Sequence, residues 1–189
     1  MRKLTYYIAA TLDGFIAGPD GQFDFFPIDP DLAAAMNAEQ PETVPTRFRS
    51  LAGLADAENR RFDTVLMGRG TYEPEYKKGI TSPYAHLRQY VFAHTDTAWD
   101  PQVEVVDGDP VAFVRRLKQQ PGKDIWLCGG GRLAGQLSIE IDELTIKRYP
   151  LVIGAGIPLF AGPFTPTGFA LAETRTFASG ATVTTYTRT

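Results

Sequence analysis

The residues with the clearest chemical potential lie between Asp124 and Gln136, where the apolar stretch Ile125-Trp126-Leu127-Cys128 gives way to Gly129-Gly130-Gly131 and then to Arg132-Leu133-Ala134. This pattern predicts a buried strand that breaks at glycines and restarts as a helix. Glycine lets a backbone approach a pyrophosphate closely, and the free N–H groups and positive dipole end of the following helix attract its charge. Arg132 adds a cation at the same edge. The chemistry indicated is nucleotide-cofactor binding, although the same arrangement also serves as an ordinary connection without a ligand. A second run, Thr64-Val65-Leu66-Met67 followed by Gly68-Arg69-Gly70-Thr71, repeats it. Gly129-x-Gly131-x-x-Ala134 formally matches the dinucleotide fingerprint of a Rossmann unit. Against that reading, the match lies far from the first strand, and Arg148, Tyr149 and Pro150 stand where a ribose-binding acid should end the next one.

The elements that must position these turns are legible in the surrounding sequence. Leu4 to Ala10 is a short apolar run rich in β-formers, followed by the turn Leu12-Asp13-Gly14 and a short segment Phe15-Ile16-Ala17. Asp29-Pro30-Asp31-Leu32 has the signature of a helix start, with Asp29 as N-cap, and predicts a helix through about Met36. The polar stretch from Asn37 to Val44 predicts a loop, and Phe48, Leu51, Leu54 and Ala55 predict a helix within Arg47 to Arg60. Further strands are expected at 88–93, 103–106 and 143–149, the last continuing past Pro150 through Leu151 to Ile153. A helix is expected from Pro110 to Gln119, and a hairpin from Phe169 to Tyr186 around Ser179-Gly180. Helices alternating with strands, then strands pairing at the end, describe a three-layer α/β domain with a mostly parallel sheet and antiparallel strands at its carboxyl-terminal edge.

Composition narrows the partners. The 189 residues are expected to form a single domain, and 43% hydrophobic with 12% aromatic residues suits a compact fold. A net charge of −3 with interspersed signs provides no basic stripe for nucleic acid. No apolar stretch reaches membrane-spanning length, so neither membrane nor nucleic acid is an expected partner, and a cytoplasmic location is expected. The lone cysteine, Cys128, excludes a disulfide framework or a zinc cluster and is expected in the core.

Read together, three segments resemble dihydrofolate reductase and its relatives. Ile8-Ala9-Ala10-Thr11-Leu12-Asp13-Gly14-Phe15-Ile16-Ala17 looks like the first strand and mobile loop of that superfamily, in the Leu-Asp-Gly-x-Ile-Ala form of the riboflavin-biosynthesis reductase branch. Met67-Gly68-Arg69-Gly70-Thr71-Tyr72-Glu73 resembles the Met-Gly-Arg-x-Thr-Tyr/Trp-Glu signature, and Cys128 to Gln136 the Gly-Gly-Gly-Arg helix start. Gly154-Ala155-Gly156-Ile157-Pro158-Leu159-Phe160 matches a further motif of the same branch. The resemblance spans nearly the whole chain in order and implies a dihydrofolate reductase-like α/β/α fold.

It also implies an NADPH site and a small heterocyclic substrate. Ala9, Ile16 and Ala17 would line the nicotinamide pocket; Gly68, Arg69, Gly70 and Thr71 would meet the phosphates from one side, and Gly129, Gly130, Gly131, Arg132 and Leu133 from the other. Arg69, with Thr95 at the end of the next strand, would hold the adenosine 2′-phosphate, since a guanidinium binds a dianion through two parallel hydrogen bonds. Asp31 aligns with the carboxylate that supports hydride transfer in dihydrofolate reductases, a role that calls for burial and a raised pKa. The tryptophan familiar near that acid is absent, with Phe25, Phe26 and Pro27 in the stretch. Lys147 falls on the strand bordering the substrate cleft, where a substrate phosphate or solvent would meet it.

The expected activity is NADPH-dependent hydride transfer, most like that of 5-amino-6-(5-phosphoribosylamino)uracil reductase. The zinc motifs of the deaminase that accompanies this activity in bifunctional enzymes are missing from the sequence. A dihydrofolate reductase and a non-catalytic NADPH-binding module are the alternatives. The family resemblance further implies a homodimer, and the segment from Asn37 to Asn59 is expected to shape the substrate pocket.

Overall fold

A computed structural model describes residues 1–94 and 100–189. Its strands are β1 (Leu4–Ala10), β2 (Phe15–Ala17), β3 (Phe62–Gly68), β4 (Arg88–Phe92), β5 (Val103–Val106), β6 (Asp124–Gly129), β7 (Glu143–Arg148), β8 (Ile157–Pro158), β9 (Phe169–Thr176) and β10 (Thr182–Arg188). The helices are α1 (Pro30–Glu39), α2 (Thr46–Arg49), α3 (Arg69–Lys77), α4 (Pro110–Lys118) and α5 (Gly131–Gln136).

The continuous apolar runs become the buried middle of an eight-stranded sheet in the order β5-β4-β3-β6-β1-β7-β10-β9. From β5 to β7 every neighbouring pair is parallel, whereas β7–β10 and β10–β9 are antiparallel. Helices cover both faces, as a parallel sheet requires. On one face Leu32 and Met36 of α1 and Tyr72 of α3 pack with Tyr7, Val65, Met67 and Trp126. On the other, Val114 and Leu117 of α4, Leu133 and Ala134 of α5 and the following Leu137 pack with Leu4, Tyr6, Leu66 and Leu127. The mostly parallel α/β architecture with antiparallel edge strands is therefore the observed one. No helix of the described residues is long and apolar enough to cross a membrane.

Three local expectations are corrected. Between Arg47 and Arg60 the helix ends at Arg49, and Phe48 and Leu51 are exposed rather than forming a buried stripe. The Arg49 guanidinium instead donates to the carbonyls of Pro41 (2.8 Å) and Ala57 (2.5 Å), folding the segment back on itself, and Gly53 turns with a positive φ of 69°. The second correction lies beyond Pro150, where β7 does not resume. The N–H groups of Ile153 and Gly154 go to the Asp13 carboxylate, and Leu12 N–H goes to the Leu151 carbonyl, so the backbone is engaged outside any ladder. The loop expected from Asn37 also starts later, since α1 runs to Glu39 before a 3-10 turn at Pro41–Thr43.

Candidate cofactor and substrate site

β3 and β6 are parallel neighbours with Met67 opposite Gly129, so the glycine turns that follow them emerge side by side at one edge of the sheet. They nearly touch. A Cβ on Gly68 would lie 3.4 Å from the Gly130 nitrogen and 3.5 Å from the Gly129 oxygen, and one on either Gly129 or Gly130 would lie 3.6 Å from Thr71 Oγ1. Ile16 Cδ1 comes within 3.9 Å of the same position on Gly130. Gly129 has φ +137°, a conformation reserved for glycine, and its peptide bond to Gly130 is cis.

The helix starts differ in how their first N–H groups are satisfied. Asp29 caps α1 and Asp109 caps α4 through their carboxylates, whereas α3 begins at Gly68 and α5 at Gly130 with no capping side chain. Among the described residues no side chain caps the positive ends of α3 and α5, as is also the case for α2. Gly68, Thr71, Gly129, Gly130 and Ile16 are brought together here.

Other predicted cofactor residues are placed less simply. Gly131 is buried, and a Cβ there would collide with the Pro158 carbonyl oxygen, so close packing already requires this glycine. The Leu133 side chain is 4% exposed in the core, leaving only its backbone at the helix start. Arg132 and Gly70 are exposed. Arg69 is exposed too and binds Glu73 one turn on, at 3.2 and 3.3 Å; this hydrogen bond is the main cause holding the Glu73 carboxyl below its usual range. Such an exposed pair is weak and readily exchanged for another anion. Thr95 lies outside the described residues.

Beside these turns the sheet surface opens. On the face covered by α1 and α3, Trp126, Tyr7 and Thr145 are buried in β6, β1 and β7. The next residue on the same face of each strand, Cys128, Ala9 and Lys147, is only half-buried. Since these three strands are central, exposure at their ends marks a cleft with Cys128, Ala9 and Lys147 as its floor. Ala9 stands opposite Lys147 in the ladder, and Lys147 Nζ lies 4.4 Å from the centroid of the Tyr7 ring. Cys128 packs against the core cluster of Trp126 and Tyr7, as expected of it, and strand alternation, which puts it on the face of Trp126, brings it to the edge of this floor. Burial pushes its thiol up to about 11, against smaller lowering effects from a hydrogen bond with Tyr84 and from the Lys147 charge.

At the start of α1 the buried carboxylate is not Asp31 but Asp29. Asp29 Oδ1 accepts the N–H groups of Asp31 (3.1 Å) and Leu32 (3.0 Å), and Oδ2 accepts the Ser179 hydroxyl. Asp31 is exposed, so the burial expected of a proton-donating acid is absent. The reason is helical geometry, because Leu32 and Met36 turn the buried side of α1 toward the sheet.

Residues 37–59 are held at two places, by Glu42 at the start of β3 and by Thr46 and Arg47, which bind the loop at 83–86 and Glu75 of α3. Glu42, fully buried, accepts the backbone N–H groups of Arg60, Arg61 and Phe62 at the start of β3. At Glu42 the segment attaches at the opposite end of β3 from Gly68. With the outer side of α1 and Lys123 it borders an open groove of about 890 Å³, separate from the floor at Cys128.

A strap formed by residues 151–162 holds the site from its remaining side. Asp13 Oδ2 accepts from Ile153 (3.1 Å) and Gly154 (2.7 Å), while Thr11 Oγ1 donates to Asp13 Oδ1 at 2.5 Å. Ala17 pairs with Ile157 where β2 meets β8, Tyr6 donates its hydroxyl to Leu159 O, and Ala161 N–H reaches the Gly131 carbonyl. The sequence alone does not single out Asp13 for this role.

Comparisons with known proteins agree with this geometry. The RibD C-terminal domain family matches residues 2–183. Two uncharacterised proteins of Bacillus subtilis, YyaP and YwjB, are 31% identical over 193 residues (95% of this chain, 91% of that protein) and 35% identical over 179 residues (93% and 92%). A putative riboflavin biosynthesis protein from Shewanella sp. PV-4 superposes with a TM-score of 0.70 at 25% identity, covering 100% of this chain and 99% of that one. A diaminohydroxyphosphoribosylaminopyrimidine deaminase/5-amino-6-(5-phosphoribosylamino)uracil reductase from Thermotoga maritima gives 0.66 at 15% identity, covering all of this chain but 57% of its own. Dihydrofolate reductase from Enterococcus faecalis, complexed with NADP(H) and RAB-propyl, gives 0.66 at 13% identity over 98% of this chain and 96% of that one. The last two, by their low identity, establish the fold alone.

Proposed function

Because the chain belongs to the RibD C-terminal domain family, we propose that it is an NADPH-dependent reductase acting on a small heterocyclic substrate, with a reaction most like that of 5-amino-6-(5-phosphoribosylamino)uracil reductase. The observation that carries the proposal is the meeting of two uncapped glycine helix starts, at Gly68 and Gly130, beside the half-open floor at Ala9. A Cβ on Gly68 would touch the Gly129–Gly130 backbone, so glycine lets the two turns lie side by side where a pyrophosphate would meet both.

In this reading Gly68 to Thr71 and Gly129 to Leu133 donate backbone N–H groups to the phosphates. Arg69 exchanges Glu73 for the 2′-phosphate, and Arg132 adds charge from outside. Ala9, Ile16 and Ala17 border the nicotinamide, with the strap fixing Ala17 through its pairing with Ile157. The cofactor supplies hydride when bound. The protein's part is to hold the acceptor over Cys128, Ala9 and Lys147, orient it, and keep water away from the floor. An acid role for Asp31 belongs to the dihydrofolate reductase alternative, and the exposure of Asp31 does not favour it. A cytoplasmic, homodimeric protein is part of the same proposal.

Titration of NADPH and NADH while following nicotinamide fluorescence tests it, with Arg69→Ala alongside. Preferential NADPH binding, reduced about tenfold or more in Arg69→Ala by loss of a charge-assisted contact, is expected, followed by NADPH oxidation with a pyrimidine or pterin acceptor. Failure of both nucleotides to bind would overturn the reading. Binding without turnover of any such acceptor would leave a non-catalytic NADPH module.

A further inference from the structure

We infer that Tyr149 is the proton donor of the site, its hydroxyl protonating the substrate heteroatom next to the carbon that receives hydride. The inference rests on the reductase reading and fills the role that the exposure of Asp31 leaves open.

Tyr149 directly follows β7, on the sheet face of Tyr7 and Trp126. Its N–H donates to the Ala10 carbonyl at 2.9 Å, which sets it one step outward from the Ala9–Lys147 pair on the floor. Its ring lies 5.1 Å from that of Phe26, and the residue is 8% exposed. Among the described residues its hydroxyl has no hydrogen-bond partner, and the only fully enclosed side-chain N or O atoms without one are Arg2 Nη1 and Gln40 Oε1. The Tyr149 hydroxyl therefore reaches open space. Lys147 and Asp29 are the charges that act on it, so that space is the cleft between β7 and the start of α1. A hydroxyl so placed is completed by water or by a polar atom of a ligand.

The neighbouring hydroxyls and the nearby acid are already engaged. Tyr84 hydrogen-bonds with the Cys128 thiol, and Thr145 Oγ1 lies within hydrogen-bond reach of Glu143 and Thr185. Asp29 accepts the Asp31 and Leu32 N–H groups and the Ser179 hydroxyl. Tyr7 stands opposite Thr145, one step inward from the floor, with Lys147 Nζ 4.4 Å from its ring centroid. Burial holds Tyr149 above the ordinary tyrosine range, so the hydroxyl keeps its proton at neutral pH; the Lys147 ammonium acts in the opposite sense and steadies the phenolate left when that proton leaves. As the carbon of a C=N or C=O bond receives hydride from the dihydronicotinamide, the π pair moves onto the heteroatom, which takes the Tyr149 proton. The oxidised nicotinamide and a phenolate remain, and solvent reprotonates the phenolate.

The test follows NADPH oxidation by the full chain with 5-amino-6-(5-phosphoribosylamino)uracil and, separately, with dihydrofolate, in the unaltered protein, Tyr149→Phe and Tyr7→Phe. Tyr149→Phe removes one oxygen that bonds to nothing in the protein, so thermal unfolding should be unchanged. Its kcat is expected to fall about a hundredfold or more, the scale of a lost general acid. The acceptor KM and the NADPH Kd should stay within about threefold, because a group acting only in the transition state leaves binding intact. Tyr7→Phe should keep kcat within about threefold on the same reasoning. A kcat in Tyr149→Phe close to that of the unaltered protein, an equal fall in Tyr7→Phe, or a loss that appears in KM or Kd instead of kcat overturns the inference. The two failures are distinguishable: undiminished turnover in Tyr149→Phe removes the inference and leaves the reductase reading, whereas an unaltered protein that oxidises NADPH with neither acceptor removes both.

Discussion

The Asp13 carboxylate receives the Gly154 N–H at 2.7 Å, tying the loop after β1 to a strap 141 residues further along the chain. Its hydrogen bond with Thr11, followed by those from Gly154 and Ile153, holds the Asp13 carboxyl below the ordinary carboxylate range. A depressed folded pKa stabilises the fold above the unfolded value, and that contribution disappears as pH falls through the folded value. Amide protection at Ile153 and Gly154 is therefore expected to hold at neutral pH and to fall under acid conditions, below the ordinary range for aspartate. Asp13→Asn should show the loss already at neutral pH. Protection factors from hydrogen exchange that are the same in both proteins would remove the latch.

Two glycines beside the site should respond to alanine in opposite ways. Gly131→Ala drives a methyl into the Pro158 carbonyl, an overpacking expected to cost about 1–3 kcal/mol in urea unfolding. Gly68→Ala meets its neighbours at 3.4 Å or more and has an extended backbone, so the fold should persist. Its methyl would stand between the two turns proposed to meet the phosphates, and NADPH affinity should fall about tenfold or more through lost backbone contacts. Unchanged NADPH affinity in Gly68→Ala would place the cofactor elsewhere.

Glu42 offers a stability test remote from the chemistry. Removing its carboxylate strands the N–H groups of Arg60, Arg61 and Phe62, each left-over donor costing about 1–3 kcal/mol when buried. Glu42→Ala is expected to lose about 3 kcal/mol or more on that basis, measured by chemical denaturation. NADPH affinity of the folded fraction should be unchanged. A loss under about 1 kcal/mol, below the cost of even one stranded donor, would show that water replaces the carboxylate.

Cys128 reports on the floor of the cleft. With its thiol pushed up to about 11, mainly by burial, little thiolate exists at pH 8. Iodoacetamide should therefore react on the order of a hundredfold more slowly than with an unperturbed thiol. Lys147→Met removes a neighbouring positive charge that lowers the thiol pKa, so alkylation should slow further. Faster alkylation in that variant would show that Lys147 shields the sulfur sterically rather than acting through its charge.

Much of this arrangement is legible in the sequence, for physical reasons that differ by element. Ile125 to Cys128 and Thr64 to Met67 read as strands because parallel strands are buried on both faces and need continuous apolar runs. Asp29-Pro30 marks the start of α1 because cap and proline act locally. The apolar spacing at Phe48 and Leu51 misleads because Arg49 finds its partners at Pro41 and Ala57, and spacing carries no trace of such contacts. The same holds for Leu151 to Ile153, a segment whose Ile153 N–H is claimed by Asp13. In the site, the glycine turns are visible as motifs. The exposure of Asp31 and the open floor at Cys128 depend on where α1 lies across the sheet, a tertiary fact.

The central position of β1 bears on how the chain is made. Its neighbours, β6 and β7, come from residues 124–148, so Leu4–Ala10 leaves the ribosome well over a hundred residues ahead of any strand it can pair with. Until then an apolar, tyrosine-bearing strand with both edges bare is available to other chains. Synthesis of this protein thus includes an interval in which the first strand must be sheltered, and the sheet can close only after β7 has emerged.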